Sequence, residues 1–282
     1  MYLAKIPTKS DVFRGRAFRR SQFHSIFESI DVSSSPHTES PRDDFFYDAY
    51  NRDDIAYGLD PSASLAAYLS QIMPAENTAK GNLRAIDLGA GAGRDTLALA
   101  GAGFDVESVD LSERGLSRIA ERARQRGIAE RVTTRLADVR KIEFPAAHYD
   151  AVIATTVLDH IPAADAESVW QRMCDSLTSN GVLYVHVHTT EDPGSGVPPG
   201  NTSSAPVSET AGAVVNYFRP NQLAAMAIDP KANLRILRYE ERLEWDYTHG
   251  PEHQHGKAIL LAVRAGYHPA WYGHPAAFPR ES

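Results

Sequence analysis

The sequence predicts an α/β fold: a seven-stranded, mostly parallel sheet with helices on both faces and an antiparallel hairpin at its C-terminal end. Three observations predict it. After Gly81, short apolar runs alternate with segments of helical period, the order that lays strands parallel with helices packed across them. The first apolar run, "LRAIDL", opens into glycines at every second position and then a helix-forming run, the strand–turn–helix unit of a Rossmann-like sheet. The last two apolar runs are long and joined by a short connection, so they pair antiparallel.

Residues 1–42 stand apart. Arg14, Arg16, Arg19 and Arg20 cluster and "DVSSSPHTES" is poor in apolar residues, so a loosely ordered leader is expected there. An organelle-targeting peptide is the alternative, and Asp11 and Glu28 count against it. Residues 43–80 are expected to form a helical cap. Their segment "FFYDAYNRDDIAYGLDPSASLAAYL" is aromatic-rich and breaks at Gly58 and Pro61, and Asp60 is placed to cap a helix with Pro61 in its first turn. Then "LRAIDL" is a strand, "RDTLALAGA" a helix and "FDVESVDL" a strand. "SERGLSRIAERARQRG" is a helix with Leu116, Ile119, Ala120 and Ala123 on one face. "RVTTRLAD" and the fully buried "YDAVIATTV" are strands, "AADAESVWQRMCDSL" a helix and "GVLYVHVHT" a strand. Residues 190–212, rich in Gly, Pro and Ser, are expected to be a lid loop. "RPNQLAAMA" is a short helix, and "NLRILRYEERLEWDY" and "HGKAILLAVRAG" form the hairpin. Residues 267–282 are a proline-rich tail.

Bulk properties narrow the function. Hydrophobic residues make up 43% of the chain and charged residues 23%, ordinary for a soluble globular protein. A net charge of −7 argues against a nucleic-acid partner. The single cysteine, Cys174, permits no intrachain disulfide and fits a reducing cytoplasm. No apolar run is long enough to span a membrane, and the N-terminus lacks the apolar segment of a secretory signal.

In a doubly wound sheet, ligands bind beside the carboxyl end of the first strand. Gly89, Gly91 and Gly93 sit there, and their lack of side chains lets backbone N–H groups approach a ligand. The dinucleotide pattern G-x-G-x-x-G would need glycine at Arg94, whereas the spacing here is D-x-G-x-G-x-G from Asp87. This motif resembles the first motif of class I S-adenosylmethionine (SAM)-dependent methyltransferases, over about Gly81 to Gly266. The resemblance implies a methyltransferase domain at 43–266 with SAM as cofactor. It implies that Asp87 and the glycines hold the cofactor, that Asp110 takes the ribose hydroxyls and that Asp138 reads the adenine amino group. Leu111, Val139, Thr155 and Tyr57 complete the implied cofactor set, and Tyr50 joins Tyr57 in the aromatic lead-in. "YDAVIA" is similar to the family's fourth strand. A plain structural turn or an NAD site is the competing reading of the glycines, and a helix cap is that of Asp110.

Within that class, "GAGRDTLALAGAGFDVESVDLS", an upstream "YGLDPS" and a late "THGPEHQHG" are similar to the tellurite-resistance (TehB-like) subgroup. This implies a small soft acceptor such as a tellurite or selenite oxyanion. A soft lone pair or a thiolate attacks the activated methyl without a general base, whereas a hydroxyl or amine usually needs one. Candidate acceptor groups are His160 after the fourth strand, His186 and His188 on one face of the fifth, and Arg94 beside the glycines. A bound anion would favour charged histidine, so activity should fall as pH rises. The structural alternatives are a backbone-satisfying role for the histidines, an Arg94 ion pair with Asp95 or Asp110, and core roles for Tyr50 and Tyr57. His249, His253 and His255 form an HxxxHxH pattern without an evident carboxylate partner; it is read as a solvated or hairpin-ordering turn and no metal is assigned. "TTVLDHI" stands where nucleic-acid amino methyltransferases carry an N-P-P-Y-like motif, which again points to a small-molecule acceptor. A non-catalytic SAM-binding sensor or partner protein and an NAD-dependent oxidoreductase are the alternatives.

Overall fold

The protein is described by a computed structural model that covers Tyr50 and residues 60–72, 83–196, 213–246 and 252–269. The expected leader, most of the expected cap with Tyr57, residues 197–212 of the expected lid, His249 and most of the tail lie outside the described residues. The described residues all belong to one compact unit spanning 41–282.

In chain order the elements are α1 (Ala63–Ile72), β1 (Leu83–Leu88), α2 (Arg94–Gly101), β2 (Phe104–Asp110) and α3 (Glu113–Gln125). They continue with β3 (Val132–Leu136), β4 (Tyr149–Thr155), α4 (Ala163–Ser176), β5 (Leu177–His188), α5 (Gln222–Ile228), β6 (Leu234–Asp246) and β7 (His253–Arg264). The strands form one seven-stranded sheet in the order β3-β2-β1-β4-β5-β7-β6. β1 to β5 run parallel, and β7 lies antiparallel to both β5 and β6. That inserted strand separates the fold from the dinucleotide-binding one, whose sheet ends in order 4-5-6.

Both faces of the sheet are covered. On one face Ile86, Leu88, Val152, Leu183 and Val185 pack with Trp170 and Met173 of α4 and Leu223 of α5. On the other, Ala85, Ile153, Tyr184 and Leu261 pack with Leu65 and Tyr68 of α1 and Leu99 of α2. Among the described residues no helix is long and apolar enough to cross a membrane. The helix expected at Asp60 starts later. Ser62 caps α1, its Oγ accepting from Leu65 N at 3.4 Å and also bonding the Tyr184 hydroxyl, which ties the helix to β5. β5 starts at Leu177, before the expected Gly181, because Leu177 already pairs with Tyr149 ahead of a register shift.

The second face changes character along its length. In β5 the inward positions run Val182, Tyr184, His186, His188. Because β7 runs the other way, its matching positions run Val263, Leu261, Ile259, Lys257, His255, His253. The apolar core therefore gives way to imidazoles and one ammonium at the end of the sheet where β1 to β5 finish. Part of the expected lid is docked there: residues 189–196 form a turn against β7, with Thr189 N donating to Gly256 O at 2.8 Å. A Cβ on Gly256 would lie 2.4 Å from Asp192 N, so only glycine lets the turn sit so close.

Gly256→Ala should therefore lower stability by about 1–3 kcal/mol through overpacking against backbone. Gly101→Ala, at an ordinary helical position with nothing within 4 Å, should raise it by roughly 0.5–1 kcal/mol. Denaturant unfolding of the two variants checks the pair, and equal shifts would contradict the close packing at Gly256.

Candidate functional site

The turn after β1 is held open by its glycines. Gly89, Gly91 and Gly93 have φ of 63°, 52° and 93°, a region L-residues rarely adopt. Gly93 is the N-cap of α2. A Cβ on Gly91 would fall 2.8 Å from the Tyr50 hydroxyl, so Tyr50 lies directly on the loop. Gly91 N donates to Asp110 Oδ2 and Ser112 N to Asp110 Oδ1, both at 2.7 Å. Asp110 thus joins the ends of β1 and β2. The sequence reading missed Gly115, where a Cβ would meet Gly91 O at 2.5 Å; α3 needs this glycine to approach the loop.

Of the remaining expected cofactor residues, Asp87 and Thr155 are tied to the start of α2 beside this loop, and Asp138 and Val139 follow β3. Asp87 is buried and accepts from Thr96 Oγ1 at 2.6 Å. Burial, then the nearby charge of Asp95, pushes its pKa up to about 8, against the pull of the Thr96 hydrogen bond and Arg94. Thr155 Oγ1 donates to Asp95 Oδ2 at 2.6 Å, which links the end of β4 to the start of α2. Asp138 follows β3, where Arg140 grips both carboxylate oxygens and holds its pKa below the usual range. Val139 is buried in the core, whereas Leu111 is 69% exposed beside Asp110, an apolar surface at the rim of the loop. Tyr57 lies outside the described residues.

The acceptor candidates converge next to this loop. Thr155 pairs with His186 across β4 and β5. The His186 ring is buried, and neither ring nitrogen has a hydrogen-bond partner among the described residues. Burial first, then the charges of Lys257, His188 and Arg94, pushes its pKa well below the ordinary histidine value. Without a bound anion His186 is therefore held toward the neutral form, and the cations acting on it are Lys257 and Arg94. Arg94 pairs with Asp95 at 3.2 Å and not with Asp110.

Fully buried Asp159 accepts from His188 N at 2.9 Å and lies 2.5 Å from His188 Nδ1. His160 Nδ1 is 3.3 Å from the other oxygen. Burial would raise the Asp159 pKa, but the two histidines hold it far below the usual carboxylate range. Burial would likewise lower His160, and the Asp159 charge outweighs it and raises the pKa. His188 meets His255 with ring centroids 4.7 Å apart, and His255 meets His253 at 4.6 Å. His255 Nδ1 lies 2.9 Å from Asp192 Oδ2. The HxxxHxH segment, read from sequence as a solvated turn, thus contributes two buried imidazoles to the same band as His186 and His188. Val215 N and Asn216 N donate to Asp159 O at 3.0 Å, which brings Tyr217 toward Asp159 and Asp192. Asp159, Asp192, Tyr217 and Lys257 were missed. For the two carboxylates the one sequence signal is that each follows a buried strand within a few residues.

Residues 85–181 match a family model described as a methyltransferase domain. No curated protein sequence matches the chain. The fold is shared with TehB from Haemophilus influenzae, at TM-score 0.55 and 19% identity over 78% of this chain and 66% of that one, so this chain spans just under two thirds of that protein. It is shared with a 1,6-didemethyltoxoflavin-N1-methyltransferase from Burkholderia thailandensis, solved with its substrate and S-adenosylhomocysteine, at TM-score 0.51 and 20% identity over 76% and 80% of the two chains. A putative methyltransferase from Bacillus halodurans gives TM-score 0.52 and 13% identity over 72% and 99%. At these identities the likeness establishes the fold.

Asp110→Ala should weaken SAM by about 1.5–3 kcal/mol, from lost charge-assisted hydrogen bonds to ligand and loop. Calorimetry checks this, and unchanged affinity would remove Asp110 from the site. A second expectation follows from Asp87, which is protonated below about pH 8. A cationic sulfonium nearby favours the carboxylate and expels the proton, so SAM affinity should rise between pH 6 and 8. S-adenosylhomocysteine, whose sulfur is neutral, should show a shallower rise. Identical slopes for the two ligands would contradict the assignment of Asp87.

Proposed function

We propose that this chain, a class I SAM-dependent methyltransferase by its matched domain and its fold, transfers the methyl group to a small soft acceptor, such as a tellurite- or selenite-like oxyanion, held in the imidazole band. One observation carries the reading: beside the glycine loop, buried His186 presents two ring nitrogens with no hydrogen-bond partner among the described residues, in a field shaped by Lys257 and Arg94. A buried imidazole without a partner is costly. A ligand that accepts or donates a hydrogen bond there removes the cost, and Lys257 and Arg94, each paired with a carboxylate (Glu244 at 3.1 Å and Asp95 at 3.2 Å), lie near enough to act on its charge. The resemblance of "GAGRDTLALAGAGFDVESVDLS" to the tellurite-resistance subgroup agrees.

In this mechanism the chain supplies position and field. The acceptor's lone pair forms the new bond to the methyl carbon as the carbon–sulfur bond breaks, and that electron pair returns to sulfur. No proton leaves the acceptor, so no base is required. A second reading has its own observation, the buried Asp159–His188 pair at 2.5 Å. Such a pair orients an imidazole to take a proton from a hydroxyl or amine acceptor.

A methyl-transfer screen over oxyanions, thiols, phenols, amines and carboxylates tests both. In the first reading Lys257→Met and His186→Ala raise KM for an oxyanion about tenfold, the equivalent of ~1.4 kcal/mol, with SAM affinity intact. In the second, kcat rises with pH and His188→Gln lowers kcat with little change in KM. Turnover of hydroxyl or amine acceptors alone, with that pH profile, would end the oxyanion reading.

A further inference from the structure

We infer that Asp246, His253 and His255 form a binding site for a divalent transition ion of the zinc class at the connected end of the β6–β7 hairpin, where β6 finishes and β7 begins. The register creates it. Asp246 lies directly opposite His253 in the antiparallel pair, and His255, two residues on, projects from the same face of β7. His253 Nε2 and His255 Nε2 are 3.0 Å apart, and His255 Nε2 is 4.0 Å from Asp246 Oδ2. One ligand atom from each residue falls within a 4.8 Å span. Zinc–nitrogen bonds of 2.0–2.1 Å place neighbouring tetrahedral ligands about 3.3 Å apart, so the observed spacings bracket what one ion needs.

The second observation is independent of that triad. The opposite nitrogen of His255 is held by a carboxylate, Asp192 Oδ2 at 2.9 Å from Nδ1. Asp192 is itself fixed by Gly256 N at 3.0 Å and Gly194 N at 2.7 Å. A carboxylate on the rear nitrogen sets the tautomer and aim of a metal-binding imidazole. The whole turn reaches that position only because Gly256 has no side chain. His253 is fully buried and His255 nearly so, which excludes competing water. Two imidazoles and one carboxylate suit zinc, cobalt or nickel better than magnesium or calcium. Three protein ligands would leave a fourth position for water or another ligand.

The test reads binding, so it stands apart from the methyl-transfer reading. The full chain, stripped with chelator, is titrated with Zn2+ by calorimetry and with Co2+ by visible absorption, with Mg2+ as control. The wild type should bind one equivalent of Zn2+ and of Co2+ at this site and show no comparable response to Mg2+. His253→Ala and Asp246→Asn should each weaken Zn2+ at least tenfold, and Asp192→Asn by 10–100-fold. His148→Ala, remote from the band, should bind as wild type. Asp246→Asn is near-isosteric and partly exposed, so it carries the test if the histidine variant fails to fold. Absence of a one-equivalent site, equal competition by Mg2+, or wild-type affinity in Asp246→Asn would overturn the inference.

Discussion

The site depends on one repeated interaction, a carboxylate accepting backbone N–H groups where a strand gives way to a turn. Asp110 takes Gly91 and Ser112, Asp159 takes His188, and Asp192 takes Gly194 and Gly256. At the ends of parallel strands the sheet no longer pairs the backbone, and a buried amide without a partner is expensive. An ionised acceptor gives a shorter and stronger bond than a neutral one. Each carboxylate therefore fixes a turn. Asp110 shapes the glycine loop, and Asp159 and Asp192 aim His188 and His255.

The resulting charge pattern has two poles. Asp87 and Asp110 close the ends of β1 and β2, Lys257 and the imidazoles line the end of β5 and the start of β7, and the Arg94–Asp95 pair sits at the start of α2. SAM carries its positive sulfonium, and the proposed acceptor is negative. In the proposed reaction the acidic pole takes the cationic cofactor and the other takes the nucleophile, with Thr155 and Asp95 at their junction. Docking residues 189–196 over Gly256 closes one side of this region.

What could be read from the sequence follows the range of the interactions. Strand and helix positions are local patterns, and "LRAIDL", "FDVESVDL" and "YDAVIATTV" were read within a few residues of β1, β2 and β4. The glycine loop was legible because its spacing encodes a backbone conformation. His186 and His188 were legible as one face of a strand. Asp192 with His255 was not, because the pair is 63 residues apart and meets only once β7 inserts between β5 and β6. The same insertion carries Lys257 and His253 to the band, so a segment read as a solvated turn became its wall. The lowered pKa of His186 was also hidden, since it depends on burial and on those distant cations. The α1 cap was misplaced because Ser62 and Asp60 are both good caps, and the Tyr184 contact that favours Ser62 is long-range.

The account's central claim is that the transferable methyl group lies between the glycine loop and the imidazole band. NMR of the protein bound to SAM carrying a 13C-labelled S-methyl group tests it most directly. Nuclear Overhauser contacts from that methyl to the side chains of Thr155 and His186 are expected. A bound methyl with no contact to either, lying instead against Leu111 or Asp138 at the far side of the loop, would contradict the claim.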